Sequence, residues 1–488
     1  MKYLLLAIVL QIYLLGYSQT SFQKRIISTQ TVQTFNAVEL PNEDILLVMI
    51  KQNINSIYYP YYMILDKEGV VKTEIYDTAF NIMPMPKDII MNDTDMVFIG
   101  LQNDSIIFTR RDFSLNQLSR TCIYFSDSIW GTSFYNYIIK DSLVIISGEA
   151  TKYKYDVVGG KYTFPFIMKF DRDFNLINKN MGLSFTPDNF SGSFNNVVLD
   201  NNGKLTGCVF SASIGKMGRV TFNDTLGVDN ILSLKYPIGN HASINYSPVL
   251  EQYYIFSRVN SNKNFKDVIL GIYNYQFDTI THLNFGGATP APFNDTNNIT
   301  TYSSNSIAIK YKSIYIGGTY NKNPFSGFVG YDSWYMIARI GSDNEYVWKK
   351  RFGGDGSYNL INICSSKDGG CIANGIYFDH SNPPQSNIFL IKIDSNGIST
   401  WLKNINLPKV AVNIYPNPAT TEINISLKQA NEQIARLSII DIQGKVVLQK
   451  QVDDKQTKLD VSALAKGVYI VEGYTSKGKG FNGKFVRE

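Results

Sequence analysis

The 488-residue chain reads as all-β, a seven-bladed β-propeller followed by a small Ig-like β-sandwich, and three observations predict it. Runs of about four to eight apolar or aromatic residues alternate with Asn, Asp and Gly turns, and helical periodicity is almost absent. The composition agrees. With 32 Tyr and 29 Phe against 18% charged residues, it is the usage of β-rich extracellular proteins, whose strands favour aromatics and whose turns favour Asx and Gly. Finally, a two-part repeat recurs across the central region, and self-similarity at such a spacing marks stacked or radial arrays.

The first half of the repeat is a strand, a polar turn and an apolar strand often ending at Gly. It runs from Ile89 to Gly100 around Asn92-Asp93, Tyr137 to Gly148 around Asp141, and Val197 to Gly207 around Asp200-Asn201-Asn202-Gly203. It returns from Ile307 to Gly317 and from Ile363 to Gly375 around Asp368-Gly369-Gly370, with poorer copies at Asn42-Glu43-Asp44 and Glu251-Gln252. The second half is an apolar strand ending in an Asx-led turn, as in Ile388 to Asp394 followed by Ser395-Asn396-Gly397. Related segments end at Asp66, Asp112, Asp171, Asn223, Asn274 and Gly341. Seven copies of each half alternate at a mean period of about fifty-five residues, room for four strands per unit. A four-stranded unit cannot bury both faces alone, and radial stacking removes the exposed edges an open array would leave. A ring of seven over about residues 30 to 405 follows; six or eight blades, or large β-sandwiches, are the competing arrangements.

The ends read differently. Met1-Lys2-Tyr3, an apolar run from Leu4 to Leu15 and small residues Gly16 and Ser18 form a signal peptide over 1–18, with cleavage between Ser18 and Gln19. The apolar run is too short to span a bilayer, and no later segment is long and apolar enough to do so. The propeller-like cargo then occupies 19–406. Leu407-Pro408-Lys409-Val410-Ala411 is a linker, because Pro408 interrupts pairing, and a separate unit occupies 412–488. In that unit Ile423, Ile425 and Leu427, then Leu437, Ile439 and Ile440, Val446 to Leu448, and Val468 and Ile470 mark the inward faces of a sandwich of about seven strands.

This last unit opens with Tyr415-Pro416-Asn417-Pro418 and continues through Asp441-Ile442-Gln443-Gly444-Lys445, Leu464-Ala465-Lys466-Gly467-Val468-Tyr469-Ile470-Val471 and Gly483-Lys484-Phe485-Val486. With these motifs in this order it resembles the type A C-terminal sorting domain of proteins exported by the type IX secretion system of Bacteroidota. The resemblance implies an address rather than an activity. Tyr415, Pro416, Asn417, Pro418, Gly444, Lys445, Gly467 and Lys484 would carry the sorting motif, the secretion machinery would be the partner, and the cargo would cross the periplasm to be released or held at the cell surface. Upstream, Trp348 to Gly354 followed by Ser366-Lys367-Asp368-Gly369-Gly370 resembles the repeats of bacterial β-propeller families. Ser366, Asp368 and Gly370 also partly match the Asp-box of sialidase-like propellers, with Ala373 where that pattern has an aromatic, and the role of that box is to organise a hairpin.

Chemistry is harder to find. The net charge of +5 is spread without Lys or Arg runs, which excludes the electrostatic footprint of a nucleic-acid binder. His241, His282 and His380 show no zinc-ligand spacing, no Gly-x-Ser-x-Gly elbow exists, and Gly353-Gly354-Asp355-Gly356 lacks the Lys-Ser/Thr of a phosphate loop and reads as a blade-connecting turn. Asp93-Thr94-Asp95 and Asp171-Arg172-Asp173 lack the frame of a calcium hand; no cofactor is expected, with calcium in a central channel the one alternative. Four Cys in an oxidising compartment raise disulfides. Cys364 and Cys371 flank the Lys367-Asp368 turn, so a two-residue hairpin would set them opposite each other for a bond, whereas Cys122 and Cys208 find no pairing.

The sequence therefore points to an exported, non-enzymatic propeller that binds glycan or protein partners, with aromatic loops such as Tyr58-Tyr59-Pro60-Tyr61-Tyr62 offering stacking faces or simply packing as strand. The rival is a secreted propeller hydrolase of glycan or peptide polymers, which a pocket of converging carboxylates would favour.

Overall fold

A computed structural model of the chain describes residues 21–399 and 412–488, apart from 29–31, 53–57, 78–82, 103–104, 125–128, 141–142, 154–160, 182–193, 212–215, 234–242, 259–267, 287–298, 301–305, 311, 322–331, 381–385, 428–432, 442–445 and 476–479. The signal segment with Ser18 and Gln19, the linker 407–411, His241, Gly444 and Lys445 lie outside the described residues. Two compact units divide between Trp401 and Leu402. The described residues are strand and turn throughout, as expected of an all-β chain.

The larger unit holds seven antiparallel sheets among its described residues. A short strand β1 (Phe22–Ile26) comes first. Five sheets then follow the chain in sequential order: β2–β5 (Val32–Glu39, Ile45–Gln52, Tyr58–Leu65, Val71–Tyr76), β6–β9 (Met83–Met91, Asp95–Gln102, Ser105–Asp112, Gln117–Tyr124), β10–β13 (Ile129–Lys140, Leu143–Tyr153, Lys161–Asp171, Leu176–Met181), β14–β17 (Phe194–Leu199, Leu205–Ser211, Lys216–Phe222, Val228–Ser233) and β18–β21 (Ser243–Ser247, Gln252–Arg258, Val268–Tyr273, Thr279–Gly286). The sixth divides its first strand into β22 (Ile299–Thr300) and β23 (Ile307–Lys310), both paired to β24 (Ser313–Tyr320), and adds β25 (Trp334–Ile340) and β26 (Tyr346–Gly353). The seventh consists of β27 (Ser357–Ser365), β28 (Cys371–Phe378) and β29 (Ser386–Ile393), and its outer strand is β1, with Phe22 opposite Lys392 and Ile26 opposite Ile388. The sheet-forming chain thus begins ahead of residue 30, where the repeat alone places it.

First strands pack in sequence, β2 on β6, β6 on β10, β10 on β14, β14 on β18, β18 on β23, β23 on β27, and β27 returns to β2. The apolar core lies between successive sheets. Leu46, Val48 and Tyr62 meet Met96, Phe98 and Leu115, and Phe256, Leu270 and Ile272 meet Ile314, Ile316 and Ala338. Between the seventh sheet and the first lies a buried polar network. Asn374 Nδ2 donates to Thr34 Oγ1 at 2.6 Å, Asn362 Nδ2 donates to the Ala37 carbonyl at 3.2 Å, and Lys392 Nζ lies 3.2 Å from Glu39 and 3.3 Å from Asp368.

The six turns between third and outer strands, and the turn that follows β29, share one backbone frame, in which the leading residue bonds the residue four positions on and accepts from the residue three positions on. Where Asp or Asn leads the turn, its side-chain oxygen accepts backbone N–H bonds from the residues that follow: Asp112 from Ser114 and Asn116 at 2.9 and 2.8 Å, Asp171 from Asp173 and Asn175 at the same distances, and Asp394 from Asn396 and Ile398 at 2.9 and 2.7 Å, whereas Gly341 leads the turn of the sixth sheet and has no such oxygen. The residue three positions on has a left-handed backbone in all seven. It is Gly69, Gly397 or Asn344 in three turns, but Leu115, Phe174, Leu226 and Phe277 in the other four. Leu115, Phe174 and Leu226 are buried against the neighbouring sheets, so apolar burial offsets a backbone conformation that disfavours large side chains. Most turn-borne acids of the repeat are accounted for by this geometry.

Tyr58 to Tyr62 form the head of β4 rather than a loop, with Tyr61 and Tyr62 buried. The Cys364–Cys371 expectation also fails on register. The connection is the five residues Ser366–Gly370 rather than a two-residue turn, which sets Cys364 opposite Ile372 and Cys371 opposite Ser365. The two sulfurs therefore point to opposite faces of the sheet, and all four cysteines are free thiols. Burial pushes the Cys364 thiol up to about 12.

The smaller unit has seven strands among its described residues: β30 (Val412–Tyr415), β31 (Glu422–Leu427), β32 (Ile434–Asp441), β33 (Val446–Asp454), β34 (Gln456–Asp460), β35 (Gly467–Thr475) and β36 (Gly480–Arg487). They form sheets β30-β31-β34 and β33-β32-β35-β36, which share one core of Ile423, Ile425, Leu437, Ile439, Tyr469, Val471 and Phe485. The alternation in β35 is opposite to the one expected: Tyr469 and Val471 face inward, while Val468 and Ile470 are each 45% exposed.

Candidate functional site

The turns just described occupy one edge of the sheets. The other edge carries the connections from outer strand to next first strand and from second to third strand, and polar and aromatic groups of the last two sheets gather there. The connection Gly353-Gly354-Asp355-Gly356 leads from β26 into β27, the blade-connecting role expected for it. It must be glycine-rich for steric reasons. Gly353 and Gly354 have φ of 106° and 95°, and a Cβ on Gly354 would stand 1.9 Å from Trp334 Nε1.

Arg25, on β1, reaches this connection. Its guanidinium bonds Asp355 and the Tyr358 hydroxyl and lies 4.2 Å from the centre of the Tyr377 ring. Burial by itself would raise the Asp355 pKa, but the Arg25 and Tyr358 hydrogen bonds prevail and hold it below the ordinary carboxylate value. Burial also raises Tyr377, to about 12, and among the charges acting on that ring are Arg25 and the carboxylates of Asp379, Asp355 and Asp332. Beside this cluster Arg351, exposed, lies 4.7 Å over Tyr320 and 5.9 Å over Trp334.

Ser333 locks the head of β25 to the head of β27. Its N–H donates to the Gly356 carbonyl at 2.9 Å, its hydroxyl donates to the Tyr358 carbonyl at 2.7 Å, and the Tyr358 N–H donates to that hydroxyl at 2.6 Å. Asp332 is thereby fixed close to Ser357. The Ser357 Oγ lies 2.9 Å from His380 Nε2, and His380 Nδ1 lies 3.5 Å from Asp332 Oδ1. The sequence gives no local signal for this grouping, because Ser357 begins a strand while Asp332 and His380 sit on separate connections of two sheets. His282 packs edge-on against Tyr273, and its pKa is lowered by burial. Among the described residues no group of three or more His, Cys, Asp or Glu is arranged to hold a metal ion, and no helix is long and apolar enough to cross a membrane. Cys122 is exposed on β9 and Cys208 is buried on β15.

In the smaller unit the opening and closing motifs meet. The Tyr415-Pro416 and Asn417-Pro418 bonds are both cis. Asn417 then spans to β36: its amide donates to the Lys484 carbonyl at 3.2 Å and its Oδ1 accepts the Val486 N–H at 2.9 Å. Ala419 continues the contact by bonding Val486 at 2.8 Å. A Cβ on Gly483 would stand 2.4 Å from the Ile414 Cδ1, so glycine lets β36 approach β30. Tyr415 is 46% exposed, and its hydroxyl accepts from Gln456 Nε2 at 3.0 Å. Gly467 opens β35 opposite Arg487, and the Lys484 side chain faces solvent.

Comparison with known proteins gives partial matches. Three solved structures are similar in fold: puromycin hydrolase (8% identity, 81% of this chain and 58% of that one, TM-score 0.47), the hydrazine synthase of Kuenenia stuttgartiensis (12%, 73% and 96%, TM-score 0.45) and the β-propeller domain of the Trilobed protease from Pyrococcus furiosus (11%, 74% and 95%, TM-score 0.40). Beta-agarase D of Zobellia galactanivorans is 39% identical over 79 residues, which are 16% of this chain, and the chain spans 15% of the length of that curated relative. Residues 413–486, the unit in which Asn417 joins the first strand to the last, are matched by the secretion system C-terminal sorting domain family and carry the address of type IX export.

Proposed function

We propose that the larger unit is a seven-bladed β-propeller closed by β1, that the smaller is an Ig-like sandwich serving as its export address, and that the edge around Arg25 and Trp334 binds a glycan or protein partner outside the cell. The signal peptide 1–18 and the linker 407–411 belong to the same reading. The observation that carries binding is the combination of Tyr320, Trp334 and exposed Arg351 at that edge. Flat aromatic faces and a guanidinium suit stacking on sugar rings or on a protein surface, and the edge opposite the tight turns is where connections vary freely.

The rival, a two-carboxylate glycosidase, draws on the acids around Tyr377. Such an enzyme needs one carboxyl kept protonated beside an ionised one. Asp355 is bonded to Arg25 and Tyr358 and held low, so it is a poor proton donor. The purified chain on glycan and protein arrays, alongside Trp334→Ala and Arg351→Ala variants, tests the binding reading. Loss of a bound glycan or protein in both variants supports it; binding that neither substitution alters, or none at all, removes it.

A further inference from the structure

We propose that Ser357, His380 and Asp332 form an acyl-transfer site at the same edge, with Ser357 as nucleophile, His380 as general base and Asp332 as the residue that positions the imidazole. The inference rests on geometry and is independent of export, blade number and the binding partner.

A serine hydroxyl is a weak nucleophile until a base takes its proton, and the recurring solution is a hydroxyl on one imidazole nitrogen with a carboxylate on the other. Here Oγ lies 2.9 Å from Nε2, and a carboxylate lies 3.5 Å from Nδ1. With the ring proton on Nδ1 toward Asp332, Nε2 accepts the Ser357 proton. The 3.5 Å separation is long for a finished hydrogen bond, and such contacts commonly tighten only when substrate is bound. The supports are rigid. Ser357 begins β27, opposite Phe378 of β28, and His380 follows two residues later. Asp332 precedes Ser333, whose three hydrogen bonds fasten it to Gly356 and Tyr358 on either side of the nucleophile. Ser357 and His380 are thus held to each other by the pairing of β27 with β28, and Asp332 to both by the Ser333 hydrogen bonds, the arrangement a preorganised site requires.

Exposure selects the substrate class. Ser357 is 5% exposed, whereas the side chains of His380 and Asp332 are 33% and 52% exposed. A hydroxyl recessed beneath an open imidazole admits a small acyl group carried on a larger alcohol. We therefore assign short-chain esters, acetyl esters of a polyol or glycan in particular. In the first step Ser357 Oγ forms a bond to the acetyl carbonyl carbon while its proton passes to Nε2. The carbon–oxygen bond to the alcohol then breaks, and the leaving alkoxide takes the proton from Nε2. Water repeats the sequence on the acetyl-serine, releasing acetate and restoring the hydroxyl, with no change of oxidation state.

The full chain is incubated with a fluorophosphonate probe and, separately, with p-nitrophenyl acetate and p-nitrophenyl palmitate. The expected result is a single phosphonyl adduct on Ser357 by peptide mass mapping and acetate hydrolysis favoured over palmitate. Ser357→Ala and His380→Ala should each lower kcat by about a thousandfold, and Asp332→Asn should lower kcat about tenfold or more with KM and melting temperature unchanged. His380 is exposed, so its replacement tests the chemistry without threatening the fold, and thermal melts accompany every variant. A folded chain that leaves Ser357 unlabelled, or ester hydrolysis that survives His380→Ala, overturns the proposal.

Discussion

Arg25 and Asp355 lie 330 residues apart in the sequence and form an ion pair, reinforced by the Tyr358 hydroxyl, that ties the first strand to the connection entering the last sheet. Arg25→Ala removes that pair and the contact with Tyr377, and is expected to destabilise the larger unit by about 1–3 kcal/mol in urea titrations at pH 7. The sign with pH follows from Asp355. Its folded pKa lies below the ordinary carboxylate value, so its contribution is present above that value and is lost as pH falls through the lower, folded one. The gap between wild type and Arg25→Ala should be constant from pH 7 to about 5 and close below about 4; a gap that widens in acid contradicts the assignment.

Lys392 is only 2% exposed and faces two carboxylates, Glu39 at 3.2 Å and Asp368 at 3.3 Å. Replacing it with Met leaves buried negative charge uncompensated and should cost about 3–5 kcal/mol. Converting Glu39 to Gln in the same chain should recover part of that loss. Equal stability of the single and double variants would show that the pair is not coupled.

The four apolar left-handed turn residues make a separate prediction. Leu115→Gly relieves roughly 1 kcal/mol of backbone strain but removes a side chain whose burial contributes about 2–3 kcal/mol, so the variant should be destabilised by about 1–2 kcal/mol. Leu115→Ala keeps the strain and loses most of the burial, and should be the worse of the two. Thermal melts that rank them in reverse order would place the strain above the packing.

Asn417 must donate to Lys484 and accept from Val486 at once, which its carboxamide does and an ionised carboxylate of the same shape does not. Asn417→Asp and Asn417→Ala should each lower the stability of the smaller unit by about 1–3 kcal/mol and reduce the amount of chain reaching the medium. Export at the wild-type level by both variants would separate the motif's sorting role from the clamp it forms.

A chain ending at Val410 should fold its larger unit and fail to leave the cell. Fractionation with an antibody against the larger unit decides this, and truncated protein in the medium at wild-type levels contradicts it.

What the sequence made legible was local. The hairpins at Asn92-Asp93 and Asp200 and the turns at Asp112, Asp171 and Asp394 are where the pattern puts them, because an Asx oxygen bonding backbone two and four residues on is written within five residues. The partners of Phe22–Ile26 were not legible, since Phe-Gln-Lys-Arg-Ile has little alternation and its mate lies near residue 390. Cys364 and Cys371 failed because a one-residue shift in the pairing of β27 with β28 turns a side chain to the other face. Ser357, His380 and Asp332 carry no motif. Their meeting depends on how two sheets and their connections are registered, which no single stretch of chain encodes.

The pairing of Phe22–Ile26 with Ser386–Ile393 also sets an order of events. A nascent or translocating chain emerges N-terminus first, so its opening strand must wait through more than three hundred residues for the segment it pairs with. Any polypeptide interrupted before Ser386 leaves that strand without its mate and Arg25 without the completed sheet beside it. Completion of the seventh sheet therefore reports that this whole stretch of the message has been read, and a prematurely terminated product carries an unmatched strand edge that a protease or chaperone can recognise.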